Sequence, residues 1–244
     1  MGRSRITEKG RRRRNRGKGK GKSYKPWIEV ADSNSIGTGT ILKDPISGRQ
    51  MHFLSLAEKY VFYKLRWEEE PVDIREQYPL DLEETNKIAE DLGFLPAGQG
   101  KVHMTTDMLV THKNGRLEAV SVKTSMEDIF AEDDGTVEGK RRAARAARKR
   151  QLLYIEKEYW KRRGVEFRLM FYENLDPIYV HNIESVMRCY DKGKIRDDVS
   201  LVKHMIARKI ICVDMTKVLD FKNIAKTLQE TGKGFEQWIT QLPD

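Results

Sequence analysis

The chain has 244 residues, 39% of them hydrophobic, which is enough for one sizeable core and too apolar for a wholly disordered protein. Apolar runs of about 18 residues are absent and the first 22 residues are charged, so neither a membrane span nor a secretory signal is expected, and a soluble cytoplasmic protein is. The two cysteines, Cys189 and Cys212, lack any ligand spacing, which argues against a disulfide framework or a zinc site.

The net charge of +9 is unevenly distributed. Residues 1–22 hold eleven Lys and Arg against the single acid Glu8, so this segment carries +10 and the remaining residues −1. A Gly- and Arg-rich stretch of this kind is expected to be a disordered arm whose Arg11, Arg12, Arg13, Arg14 and Arg16 neutralise phosphates of a nucleic acid. A solubilising tail is the alternative.

Beyond the arm, Trp27–Val30, Thr38–Leu42 and Met51–Leu54 read as short strands, the last two joined by the turn Pro45-Ile46-Ser47-Gly48. A helix starts at Ser55 as N-cap, with Glu58 at the capping-box position, and ends near Trp67. Val72–Leu80 reads as a strand, 82–92 as a short polar helix and Pro96–Gly100 as a loop. Strands 104–111 and 117–123 flank an Asn114-Gly115 hairpin turn. An acidic loop over 127–138 then gives way to a basic, Ala-rich helix over 140–163, closed by Gly164. After it comes a strand, Glu166–Tyr172. The order strand pair, helix, strand indicates an α/β fold on a mixed sheet. Residues 179–244 read as a small helical domain with helices at 179–190, 198–208, 217–230 and 233–241 and a short strand at Lys209–Asp214.

Three segments suggest chemistry together: Glu58 on the first helix, Asp107 on one strand of the hairpin and Lys123 on the other. Carboxylates hold a hard divalent cation through oxygen, and a nearby lysine positions water, which is the layout of PD-(D/E)xK phosphodiesterases. Strand alternation puts Leu117, Ala119, Ser121 and Lys123 on one face and Glu118 on the other, so Glu118 is a poor ligand. The position two before the lysine, acidic in that group, is Ser121, which has a hydroxyl but no charge. Glu156 lies on the apolar face of the long helix, where an acid needs a cation or a partner. Each residue also has a plainer account: Glu58 as a cap, Asp107 as a turn residue, Lys123 as part of a solvated face, Glu156 paired with an arginine.

At these residues the chain resembles the TnsA-type endonuclease subunits of heteromeric transposases, whose catalytic domain has a restriction-endonuclease-like fold. The likeness runs over about residues 22–178, through Lys22–Trp27, Ser55–Phe62, Thr105–Asp107, Val122-Lys123 and Glu156–Trp160, and is most specific at Asp73-Ile74-Arg75-Glu76-Gln77-Tyr78-Pro79-Leu80. It implies a nuclease domain over 23–178, after the arm 1–22 and before the helical region 179–244. It also implies that Glu58, Asp107 and the Val122 carbonyl bind Mg²⁺, with Mn²⁺ as a substitute, and that the catalytic set is Glu58, Asp107, Lys123 and Ser121; Arg75, Gln77 and Glu156 are candidates for support, with a purely structural role as the alternative for Arg75 and Gln77. Ser121 falls where the family typically has glutamine. The implied activity is cutting one strand of double-stranded DNA at the 5′ ends of a transposon, beside an integrase-like transposase subunit and an ATPase regulator, in a bacterial or phage-infected cell. Two readings stay open: a stand-alone phage or mobile-element nuclease, and a non-cutting nucleic-acid-binding scaffold in which Ser121 marks lost activity.

Overall fold

The computed structural model describes residues 6–32 and 39–230. In chain order it contains α1 (Glu8–Arg13), β1 (Thr40–Lys43), β2 (Gln50–Phe53), α2 (Leu56–Glu68), β3 (Asp73–Pro79), α3 (Leu82–Asp91), β4 (Thr105–Thr111) and β5 (Leu117–Lys123). There follow α4 (Glu127–Phe130), α5 (Val137–Lys161), β6 (Glu166–Phe171), α6 (Pro177–Met187), α7 (Asp198–Ala207) and α8 (Phe221–Glu230). β3-β4-β5-β6 form one sheet and β1-β2 a separate hairpin. β3, β4 and β5 are antiparallel, whereas β6 runs parallel to β5, the crossover being α4 and α5. The fold is thus α/β, with the mixed sheet the sequence implied.

Two apolar clusters cover the two faces of this sheet. Val120, Val122, Met108 and Val110 pack with Val61, Phe62 and Leu65 of α2 and with Ile183 and Val186 of α6. Leu109 and Ala119 pack on the opposite face with Ile88 of α3 and Ile155, Tyr159 and Trp160 of α5. Alternation along β5 therefore separates the faces as the sequence required. Val202 and Ile206 of α7 and Ala225 of α8 join the α2 cluster.

Local signals account for most element ends. Ser55 caps α2, accepting the Glu58 N–H at 3.2 Å. Gly164, at φ 65°, closes α5, with the Val165 N–H donating to Trp160 O at 3.0 Å. The Asn114-Gly115 turn is present, with His112 N–H to Arg116 O at 2.9 Å.

Three expectations differ from the structure. Trp27–Val30 forms no strand: Trp27 is buried, its ring edge-on to His103 at 4.9 Å, and its N–H donates to Gln77 O. Lys209–Asp214 forms no ladder either, because Lys209 takes a left-handed φ of 57° and its ammonium turns to Glu70 at 2.5 Å. The basic segment is also more ordered than composition indicates, since α1 is capped by Thr7 and Arg16 is 3% exposed. Arg16 pairs with Glu29 at 2.6 Å and with Asp32, so it is committed inward and is not free for a phosphate. Gly17, at φ 74°, lies against Pro79 so closely that a Cβ would meet Pro79 Cγ at 2.4 Å. Arg11 sits over the Trp27 ring and Arg12 pairs with Glu8, while Arg13 and Arg14 are exposed. The expected helix 233–241 lies outside the described residues. No helix among them is long and apolar enough to cross a membrane.

Candidate active site

Glu58 is placed by the first turn of α2. Its Oε1 accepts the Ser55 hydroxyl at 3.0 Å and its Oε2 the Leu54 N–H at 3.0 Å, so it does act as a cap. The same Oε2 also receives Gln77 Nε2 at 3.2 Å, and that amide lies 3.5 Å from Asp107 Oδ1. Capping and site geometry are therefore one arrangement, because the helix start fixes the carboxylate that Gln77 joins to Asp107.

Asp107 accepts the Val122 N–H at 2.7 Å and the Ser121 hydroxyl at 3.4 Å across the β4–β5 pair. The Lys123 ammonium donates to Ser121 Oγ at 3.0 Å and Val122 O at 2.9 Å, and lies 3.8 Å from Asp107 Oδ2. Glu156 comes from α5, 5% exposed, with its Oε1 lacking any hydrogen-bond partner; Asp107, Lys123, Thr106 and Ser121 are its neighbours. A carboxylate that position 121 does not supply is thus delivered beside it by a helix. The structure brings together Glu58, Asp107, Ser121, Lys123, Glu156 and Gln77.

Two of the carboxyls, Glu58 and Glu156, are perturbed by burial and by the charge of Asp107. Burial, and then the negative charge of Asp107, push Glu58 up to about 8, against the hydrogen bonds from Leu54, Ser55 and Gln77. Burial and Asp107 likewise push Glu156 up to about 8, opposed by Lys123. Such a group is short of positive charge. The donor atoms are all hard oxygens and one buried carboxylate oxygen has no partner, which fits a divalent cation such as Mg²⁺.

Gln77 holds the site at a cost. Its φ is 48°, left-handed for a residue with a side chain, an arrangement worth about 1–3 kcal/mol of strain. The β3–β4 ladder pairs Glu76 with Met108 and Tyr78 with Thr106 but skips Gln77, whose carbonyl turns to the Trp27 N–H at 3.1 Å. Thr105 Oγ1 donates to Gln77 Oε1 at 3.0 Å, which sets the amide so that its Nε2 faces the carboxylates. Gln77→Ala is expected to lower activity or metal affinity about 10–100-fold, as the loss of a residue that orients ligands does. Metal titration of cleavage checks this, and unchanged half-saturation and rate would count against it.

Thr105 and Thr106 carry site functions that residue-by-residue reading missed. Trp160 Nε1 donates to Thr106 Oγ1 at 2.6 Å, fastening α5, and with it Glu156, to β4 beside Asp107. Their signals were adjacency to Asp107 and a place in the Thr105–Asp107 stretch of likeness. Arg75 is not in the cluster: its neighbours are Asp73, Thr111 and the Tyr78 ring. Beyond the opposite end of the β4–β5 pair, Glu69, His112 and Glu118 also gather. There the Arg168 guanidinium donates to Glu69 at 2.8 Å and to Glu118 at 3.1 Å and already provides the positive charge.

A family model described as TnsA-like endonuclease N terminal matches residues 68–171, which span Asp107, Ser121, Lys123 and Glu156. The Escherichia coli "Transposon Tn7 transposition protein TnsA" is 30% identical over 230 residues, covering 87% of this chain and 78% of that protein. The chain belongs to the TnsA-like endonuclease family. Glu58 lies before the matched family segment, yet the geometry joins it to Asp107 through Gln77. Within a TnsA-like endonuclease, the basic start of α5 is also already engaged. Arg142 pairs with Asp134 at 2.7 Å, Arg145 with Glu138 at 2.8 Å and Lys149 with Asp128, so the acidic residues of 127–138, where the expected loop instead contains α4 and the start of α5, neutralise part of the basic helix face.

Proposed function

We propose that this endonuclease hydrolyses one DNA strand at each 5′ end of a transposon in a Mg²⁺-dependent reaction, beside an integrase-like transposase subunit and an ATPase regulator. The observation that supports the reading is the convergence of Glu58, Glu156 and the Lys123 ammonium on Asp107 from α2, α5, β5 and β4. The transposition name of the Escherichia coli relative supports the setting.

Glu58, Asp107 and the Val122 carbonyl would hold the ion, with Glu156 adding negative charge beside them. A divalent cation there supplies polarisation of the scissile phosphate and neutralises charge as the bond breaks. Lys123 has three donors, two of them engaged by Ser121 and Val122 O, which leaves one for the attacking water or a phosphate oxygen. Ser121 orients that ammonium by accepting from it while donating toward Asp107. Asp107 in turn is held by the Val122 N–H, so its carboxylate cannot rotate freely. Arg13 and Arg14, exposed beside the ordered part of the N-terminal segment, remain available to DNA phosphates.

A duplex bearing the transposon end, labelled separately on each strand, tests the reading with and without the transposase subunit. The expected result is a break in one strand that requires Mg²⁺ or Mn²⁺. Cutting that persists in EDTA, or intact DNA in the complete mixture, would overturn it.

A further inference from the structure

On the α5 face of the sheet lies a groove of about 640 Å³, within the roughly 300–1,000 Å³ typical of ligand sites. Leu109, Leu117 and Val165 give it apolar lining, while Lys20, Arg163 and Arg75 bring three cations against the single carboxylate of Asp73. Asp73 already accepts the Gly21 N–H at 3.0 Å, and Arg163 is committed to Glu84. Arg75 is different. It is 6% exposed, yet its nearest carboxylate oxygen is 3.6 Å away on Asp73 and its terminal nitrogen reaches Thr111 Oγ1 only at 3.5 Å.

Arg49 and Arg66, whose Nε atoms are likewise unpartnered, are better satisfied at their terminal nitrogens. Arg49 grips Glu76 at 2.8 and 2.6 Å, and Arg66 takes Asp44 at 2.5 Å and Pro71 O at 2.6 Å. A guanidinium has five donors in a planar fork, and taking it out of water is costly unless an anion meets those donors. Arg75 lines an open groove with that capacity largely unused.

The groove adjoins the cleavage site. Arg75 and Gln77 are two residues apart on β3, at most about 7 Å along the chain, and that is the order of spacing between successive phosphates of a nucleic-acid strand. Tyr78 and Trp160 line the same groove, and Trp160 is hydrogen-bonded to Thr106 next to Asp107. We propose that the groove is a phosphate subsite in which Arg75 takes the DNA backbone phosphate neighbouring the one that is cut. The assignment rests on the nuclease reading above and adds to it where the flanking strand runs.

Binding of fluorescein-labelled duplex DNA to the full chain, measured by anisotropy in Ca²⁺ over a range of salt, tests it for wild type, Arg75→Gln and Arg75→Lys. Losing one phosphate contact should reduce the slope of log K against log salt by about 0.9 in Arg75→Gln. Arg75→Lys should keep the slope and lose affinity several-fold, because it keeps the charge without the fork. Thermal unfolding of each variant accompanies the titration. Wild-type slope and affinity in a folded Arg75→Gln would overturn the subsite and leave the nuclease reading standing, since Asp107 variants test that separately. Should Arg75→Gln fail to fold, Arg75→Lys decides: undiminished affinity overturns the subsite. A wild-type protein that binds no DNA overturns both.

Discussion

Replacing Asp107 by alanine or asparagine should lower the single-turnover cleavage rate by at least about 10³-fold, because the residue is expected to supply several kcal/mol of charge stabilisation and each 1.36 kcal/mol is tenfold. Asp107 contacts Gln77, Ser121, Val122 and Lys123, so no other side chain of the cluster can take its place without moving. The two substitutions differ in what they spare. Asparagine can still accept the Val122 N–H through its amide oxygen, whereas alanine leaves that donor without its partner. Both remove the charge that raises Glu58 and Glu156, so the folded state of the asparagine variant should be at least as stable as wild type near neutral pH. Cleavage near the wild-type rate in either purified variant would remove Asp107 from the mechanism.

Without divalent ions, the protein should lose thermal stability as the pH rises from about 5 to about 8. Glu58 and Glu156 ionise near 4.5 in the unfolded chain, but burial and the Asp107 charge raise both to about 8 in the folded one. Between those values the unfolded state binds fewer protons, so stability falls with rising pH, by up to about 1.4 kcal/mol per unit for each group. In a chain of this size that is a few degrees of Tm per pH unit, about 2–4 °C for each kcal/mol. Mg²⁺ or Ca²⁺ favours the ionised carboxylates and should raise Tm, more at pH 8 than at pH 6. Glu156→Gln should flatten the slope by removing one of the two groups. Scanning calorimetry in EDTA decides the matter: a Tm that climbs between pH 6 and 8 would contradict this electrostatic account.

Much of this site was legible before any coordinates. Ser55 and Glu58 announced a helix start, Asn114-Gly115 a hairpin, and alternation on β5 separated Ser121 and Lys123 from Glu118. Those signals are local: each depends on residues a few positions apart, whose backbone preferences act regardless of what surrounds them. Glu156 was legible in part, since an acid on an apolar helix face had to meet something. Its meeting point beside Ser121 could not be read, because it depends on how α5 docks across β4 and β5, with Trp160 fastened to Thr106.

The basic segment shows the opposite case. Composition alone describes residues 1–22 as a solvated arm, yet Arg16 is buried because Glu29 and Asp32 come round to meet it and Pro79 packs on Gly17. The left-handed turn at Gln77 is similarly invisible in sequence, since glutamine carries no preference for it; Trp27, Thr105 and Glu58 hold the residue there through its carbonyl and its amide. The amino-acid order by itself therefore determined most of the elements, their faces and the kinds of group available for chemistry. Only the tertiary structure decided which carboxylates share one charge environment and which buried arginine keeps only long contacts to its neighbours. Burial and Coulomb interaction act through space, over distances that spacing along the chain does not encode.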